Sequence, residues 1–329
     1  MRVLITGITG FVGSHLADYL LAEHSDVEIH GTKRWRSPGD NVRHLPDTVR
    51  LHNCDLRDLA SLITVFEEVK PDIIFHLAAQ SYVQTSFTAP ADTLETNVVG
   101  TSNLLEAVRI TKIDPVIHIC SSSEVYGQVS KEDIPIVEDT PLRPVSPYAV
   151  SKVGEDMLAY MYFKAYGIKT IRSRMFTHSG PRRGDVFVDS AFSLQVARIE
   201  AGVQDPVLKV GNLDSVRTFC DVRDTVRAYW LLANKCPPGE VYNIGGSSTM
   251  TIREMLDMLL EMTDRKSDIE VKIDPSLLRP ADVTLQIPSF QKFQDATEWV
   301  PVIPYEQTLK DMLDYWRDDL KRNAGGRGD

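Results

Sequence analysis

An α/β fold, built on a doubly wound parallel sheet with a smaller α/β domain interleaved in sequence, is what this chain predicts, on three observations. A short β-branched run, Val3 to Thr6, leads directly into glycines at positions 7, 10 and 13 and then into a helical pattern carrying Leu16 and Leu20. Short apolar runs then alternate with helical segments as far as Arg174, the pattern of parallel strands buried on both faces. Beyond residue 178 the alternation breaks and Gly, Pro and Arg accumulate, as in Ser179-Gly-Pro-Arg-Arg-Gly184. The first part therefore reads as a Rossmann-type sheet and the break as the start of a second domain.

Each of the first glycines has a physical task. Gly7 permits a tight turn, Gly10 lets the backbone approach a pyrophosphate, and Gly13 lets the helix pack closely on the strand, while the helix amino end attracts the anion. Thr9, Phe11 and Val12 complete this loop. The second strand, Val27 to His30, runs into Gly31-Thr32-Lys33-Arg34-Trp35-Arg36. An acidic residue there would meet the adenosine ribose of NAD, whereas Lys33, Arg34 and Arg36 attract a 2′-phosphate, so NADP is the expected cofactor. A third strand, Val49 to His52, ends at Asp55 and Leu56, with Asp55 placed to receive an adenine amino group or to cap the helix before Ala60. A fourth, Ile73 to Leu77, ends at Ala78, Ala79, Gln80 and Ser81, where small side chains let the backbone lie against the ribose or nicotinamide.

The fifth strand, Val116 to Cys120, stops at Ser121-Ser122-Ser123-Glu124, at the carboxyl edge where open α/β sheets bind ligands. Downstream, Ser146 is a helix cap and Pro147 a first-turn residue, and the helix runs to Ala165. The spacing puts Val150, Val153, Met157 and Met161 on its apolar side and Tyr148 and Lys152 opposite. Four residues apart, Tyr148 and Lys152 are neighbours, so the ammonium is expected to lower the phenol from about 10 toward the working pH and make it a base. A Tyr-x-x-x-Lys pair alone occurs on many helices. Beside a serine-tipped strand and a glycine-rich start it becomes a catalytic pattern, with Ser122 and Glu124 as its companions.

Composition bounds the alternatives. A formal net charge of −10 over 329 residues argues against a nucleic-acid or membrane-surface partner, and no apolar run is long enough to span a bilayer. Cys54, Cys120, Cys220 and Cys236 are far apart, and the eight histidines show no ligand spacing, so no metal is expected and His118 reads as a core residue. Reduced cysteines and a cytoplasmic location follow as expectations.

In the second half, Lys169 to Arg174 and Glu240 to Ile244 read as sheet strands, and Thr251 to Met262 as a capped helix. The expected division is therefore 1–178 with 214–246 for the dinucleotide-binding domain, 179–213 with 247–322 for the substrate domain, and a disordered tail at 323–329. Arginines beside turns, Arg217 and Arg279 among them, suit a diphosphate-linked substrate, because guanidinium pairs bidentately with phosphate oxygens.

Taken together, Thr6-Gly-Ile-Thr-Gly-Phe-Val-Gly13, Lys33-Arg-Trp-Arg-Ser37, Leu77-Ala-Ala-Gln-Ser81, Ser122-Ser-Glu124, Ser146-Pro-Tyr-Ala-Val-Ser-Lys152, Pro181-Arg-Arg-Gly184, Val210-Gly-Asn212 and Arg279-Pro280 resemble the extended short-chain dehydrogenase/reductases. Within that group the resemblance is to GDP-mannose 4,6-dehydratases over nearly the whole length, with GDP-4-keto-6-deoxymannose reductases sharing several of the motifs. The resemblance implies a GDP-sugar substrate and a homodimer or homotetramer. It also implies further cofactor contacts at His178 and Arg183, and substrate contacts at Ser81, Ser123, Thr177, Val188, Lys209, Arg217, Arg279 and Asp282. In a dehydratase, Tyr148 with Lys152 and Ser122 would serve oxidation at C4, and Glu124 would remove the C5 proton before water leaves C6. A reductase needs only the first three. The chain departs from the dehydratase pattern in Ser122 for threonine, in Thr177 for asparagine and in Asp282 for glutamate, and the last two bear on which sugar nucleotide is held.

Overall fold

The computed structural model describes residues 1–278 and 280–325. Arg279 and the end of the expected tail, 326–329, lie outside the described residues. In chain order the elements are β1 (Arg2–Thr6), α1 (Phe11–Glu23), β2 (Glu28–Lys33), β3 (Arg50–Asn53), α2 (Leu59–Val69), β4 (Ile73–His76), α3 (Val83–Thr88), α4 (Pro90–Leu94), α5 (Gly100–Thr111), β5 (Val116–Ser122), α6 (Pro147–Tyr166) and β6 (Thr170–Met175). They are followed by β7 (His178–Ser179), α7 (Val188–Glu200), β8 (Val207–Val210), β9 (Val216–Asp221), α8 (Val222–Lys235), β10 (Val241–Ile244), β11 (Ser248–Thr251), α9 (Ile252–Leu260), β12 (Glu270–Ile273), β13 (Leu285–Gln286), α10 (Gln291–Thr297) and α11 (Tyr305–Gly325). Helix α11 thus continues through 323–325, into the stretch expected to be a disordered tail.

Among the described residues seven strands form one parallel sheet in the order β10-β6-β5-β4-β1-β2-β3. The order reverses about β1, so β1 and β4 open a crevice at their carboxyl ends, where ligands bind in such sheets. Buried apolar residues cover both faces. Leu16 and Leu20 of α1, Tyr229 and Leu232 of α8 and Phe293 of α10 lie in one core, and Phe66 of α2, Leu104 of α5 and Tyr162 of α6 in the other. A smaller sheet pairs β9 with β7, β11 and β13, and β8 pairs with β12. Its own core joins Phe192 and Val196 of α7, Leu259 of α9 and Leu313 of α11.

The chain crosses between these layers more often than the sequence suggests. The segment 214–246, assigned above to the dinucleotide-binding domain, is shared: β9 belongs to the small sheet, while α8 and β10 serve the large one. Helix α10, within 247–322, packs Phe293 into the core of the large sheet. Strand β2 runs three residues beyond the expected end at His30, because Gly31, Thr32 and Lys33 keep pairing with β3. Gly31 is required there, since a Cβ would fall 2.5 Å from the Ile8 side chain.

Helix α6 begins where expected, with Ser146 accepting a hydrogen bond from the Ala149 amide at 3.0 Å. Its orientation corrects the periodicity argument. Val150, Met157 and Met161 are 47%, 41% and 40% exposed, and the side turned to the sheet carries Tyr148, Ser151, Lys152, Glu155, Asp156, Ala159 and Tyr162. The helix buries its polar side because that side finds partners in the sheet. Arg172 and Arg174 of β6 clasp the fully buried Asp156 at 2.9 and 2.8 Å.

Candidate active site

A cavity of about 1390 Å³ runs from the carboxyl edge of the large sheet to the small sheet. At one end lie the glycine loop, Thr9, Phe11 and Val12, and the carboxyl ends of β2, β3 and β4. Gly7 adopts a φ of +71°, and a Cβ on it would fall 2.9 Å from the Ala78 backbone, while one on Gly13 would fall 2.4 Å from the Gly7 carbonyl oxygen. Two loops are thus pressed together in a way only glycine allows. Thr6 Oγ1 accepts from the Leu77 and Ala78 amides, at 3.1 Å each, and fixes the second loop.

Leu77, Ala78, Ala79 and Gln80 line the cavity with Lys33, Arg34, Asp55 and Leu56. Arg36 does not. Its guanidinium stacks 4.4 Å above the Trp35 ring, and Trp35 is 72% exposed. Asp55 is engaged by Arg57, which donates to it from Nε at 3.2 Å and Nη2 at 3.0 Å and holds its carboxyl below the usual range. The cap of α2 is instead Asp58, which accepts from the Ala60 amide. His178 stacks on Phe11 with ring centres 5.9 Å apart, and burial pushes its imidazole down to about 4, so it is neutral. Arg183 lies over the Phe187 ring at 4.4 Å and pairs with the buried Asp189 at 3.2 Å.

The centre of the cavity collects Ser122, Ser123 and Glu124 from the end of β5 and Tyr148 and Lys152 from α6. Ser122 Oγ accepts from the Glu124 amide at 3.2 Å, which sets the turn that presents Glu124. Tyr148 is buried, with Lys152 Nζ 5.9 Å from its ring centre. The phenol is pushed up to about 12, because burial outweighs the pull of Lys152 and of a hydrogen bond with Ser122. Lys152 thus acts on the phenol in the expected direction, but burial is the larger effect. The ammonium, donating to the Cys120 carbonyl and Glu155 Oε2 at 2.9 Å each, is held charged and its own pKa is raised by Glu155 and Tyr148 against the cost of burial.

Sequence reasoning missed Asn97. A π-helical turn, Glu95–Val99, interrupts the run from α4 to α5 and turns this buried amide inward. Its Oδ1 accepts from the Gln80 amide at 2.8 Å, and its Nδ2 donates to the Gln80 carbonyl at 3.0 Å and to Ser151 Oγ at 2.9 Å. Asn97 therefore ties the cofactor-edge loop to the helix that carries Tyr148. An asparagine inside a helical stretch was the available signal.

On the small-sheet side Lys209 of β8, Arg217 of β9 and Asp282 line the cavity, and Ser81, Thr177 and Val188 line it as well. Arg217 Nη2 lies 3.6 Å from Asp282 Oδ1, and Asp282 Oδ2 accepts from Asn212 at 3.0 Å and Ser215 at 2.9 Å. Lys209 is largely exposed, and its backbone is gripped on both sides by the Gln195 amide.

Comparison with known proteins accords with this geometry. A family model described as GDP-mannose 4,6 dehydratase matches residues 4–312. The chain is 34% identical over 97% of its length to GDP-6-deoxy-D-mannose reductase of Pseudomonas aeruginosa, covering 98% of that protein. It is 33% identical over 95% of its length to GDP-mannose 4,6-dehydratase of Yersinia enterocolitica, covering 92% of it. The structure of RMD from Pseudomonas aeruginosa complexed with NADPH superposes with a TM-score of 0.84 at 34% identity, over 97% of this chain and 99% of that one. This chain belongs to the GDP-mannose 4,6-dehydratase family.

Proposed function

We propose that the protein is an NADP-dependent nucleotide-sugar 4,6-dehydratase that converts GDP-mannose to GDP-4-keto-6-deoxymannose. The observation that carries this is the convergence of Ser122, Glu124, Tyr148 and Lys152 on one cavity whose two ends suit a dinucleotide and a diphosphate-linked sugar. The glycine cradle, the cavity edge formed by Leu77 to Gln80, and basic Lys33 and Arg34 fit NADP. Tyr148, Lys152, His178 and Arg183 border the same space. When bound, the nicotinamide supplies a hydride acceptor for C4 that later gives the hydride back at C6.

The protein's own groups then have distinct tasks. Ser122 orients the C4 hydroxyl, and Tyr148, assisted by Lys152, takes its proton as the C4 ketone forms. The ketone acidifies C5–H. Glu124 removes that proton and returns one to the C6 hydroxyl, which leaves as water, and solvent reprotonates C5 at the end. Arg217, Lys209 and Asp282 are assigned to the nucleotide diphosphate, and Ser81, Ser123, Thr177 and Val188, which line the same cavity, to the rest of the substrate. Arg279 is assigned to the diphosphate from the sequence.

The dinucleotide-binding and substrate domains are assigned to the large and small sheets. We also assign at least a homodimer, because Ile110, Val150, Met157, Tyr160 and Met161, with Val99 of the turn before α5, leave an apolar surface on the neighbouring helices α5 and α6. The exposed Trp35 and Arg36 offer a second contact, which a tetramer would use. Four free cysteines suit the cytoplasm.

A second reading, GDP-4-keto-6-deoxymannose reductase, is favoured by the 34% identity to such an enzyme over nearly all of both chains. The two are separated by supplying GDP-mannose without reductant, which only a dehydratase turns over.

A further inference from the structure

Beneath Tyr148, the Lys152 ammonium has a second partner that the proton-transfer scheme does not use. Glu155 stands three residues after Lys152, on the same side of α6, and that side is turned into the sheet. Glu155 is 1% exposed, its Oε2 accepts from Lys152 Nζ at 2.9 Å, and its Oε1 is buried without a hydrogen-bond partner. A carboxylate buried with one oxygen unsatisfied is costly unless a charge compensates it.

The surrounding groups leave that compensation to Lys152. His76 of β4 and His118 of β5 are pushed down to about 3 by burial and are neutral, and burial pushes the Cys120 thiol up, so it is uncharged. Asp156, next on α6, is clasped by Arg172 and Arg174. Ser122 hydrogen-bonds Tyr148, and Glu124 lines the same cavity. The charge that reaches Tyr148 from below is therefore that of the Lys152–Glu155 pair.

We propose that Glu155 is a positioning residue for Lys152: it holds the ammonium in place and offsets its charge, and so sets how strongly Lys152 acts on Tyr148. This rests on the assignment of Tyr148 as the group that transfers the C4 proton. Lys152 favours the phenolate, and Glu155 opposes it. Burial pushes the Glu155 carboxyl up while Lys152 pulls it down, so the two groups are held as a pair by their 2.9 Å contact.

The test is the pH profile of Glu155→Gln, whose amide oxygen can still accept from Nζ but carries no charge. Dehydration rises with pH through the Tyr148 pKa and reduction falls through it, so in either activity that limb moves to lower pH, by about one unit for loss of a neighbouring charge. In the cofactor-free protein, the ultraviolet tyrosinate absorbance that disappears on adding Tyr148→Phe appears at lower pH in Glu155→Gln than with Glu155 intact. If Glu155→Gln is not recovered folded, Glu155→Asp decides: its carboxylate recedes by one methylene, and the limb moves the same way by about half as much. An unmoved or upward-moved limb and tyrosinate titration, with only stability or overall rate changed, overturns the proposal. The profile is read on whichever turnover the wild type performs, and the tyrosinate titration needs none, so an incorrect assignment of the activity shows itself separately.

Discussion

The Arg36 guanidinium stacks on the Trp35 ring at 4.4 Å and takes no part in lining the cavity that Lys33 and Arg34 border. The basic loop after β2 therefore divides its cations between two faces. We assign the preference for a 2′-phosphate to Lys33 and Arg34, so NADP should bind at least about tenfold more tightly than NAD, or about 1.4 kcal/mol. Titration of Lys33→Ala/Arg34→Ala should show that margin lost, while Arg36→Ala keeps NADP affinity and alters the oligomer measured by light scattering. Loss of NADP affinity in Arg36→Ala would return that residue to the cofactor site.

Arg217 faces Asp282 at 3.6 Å on the small-sheet side of the cavity. Arg217→Ala should weaken nucleotide-sugar binding by about 2 to 4 kcal/mol, the range for two charge-assisted hydrogen bonds, where a surface ion pair would cost under about 1. Calorimetry with the GDP-sugar checks it, and a loss in the smaller range would make the arginine a partner of Asp282 only.

Asp156 is fully buried between Arg172 and Arg174, and Arg174 also donates to the Tyr126 hydroxyl at 3.0 Å and to the Glu138 carbonyl at 2.7 Å. Removing the carboxylate leaves two guanidiniums buried without their counter-charge. Asp156→Asn should destabilise the fold by about 3 to 5 kcal/mol in denaturant melts, even though it lies outside the cavity lining. A loss below about 1 kcal/mol would show that the cluster relaxes around the change.

Glu124→Gln is nearly isosteric and should leave the fold and NADP binding unchanged while lowering GDP-mannose dehydration at least about a hundredfold. Oxidation at C4 should survive, detected as cofactor reduction in a single turnover. Equal loss of both steps would mean that Glu124 positions the sugar instead of removing its C5 proton.

Most of this architecture was legible because it depends on local chemistry. The glycine spacing, the Ser146 cap and the serine-tipped strand each act within a few residues, and all three stand where the sequence places them. What the sequence concealed depends on which way an element turns. The apolar stripe Val150, Met157 and Met161 marks a helix side as clearly as a core would, but β6 presents arginines, and the polar side of α6 is the one they draw inward. The same turn buries Glu155 beside Lys152, a contact no spacing rule singles out from an ordinary surface pair. Asn97 stood out only as an asparagine inside a helical stretch, and its role needs a π-helical turn that this signal does not specify.

The central claim is tested most directly by incubating the protein with GDP-mannose and catalytic NADP in deuterated water, with no reductant added, and following the product by mass spectrometry and NMR. The account predicts accumulation of GDP-4-keto-6-deoxymannose carrying one solvent deuterium at C5, because Glu124 removes the C5 proton, solvent returns it and the hydride is recycled. GDP-mannose left untouched, with NADPH consumed one for one when the 4-keto-6-deoxy sugar is supplied, would contradict the dehydratase and establish the reductase.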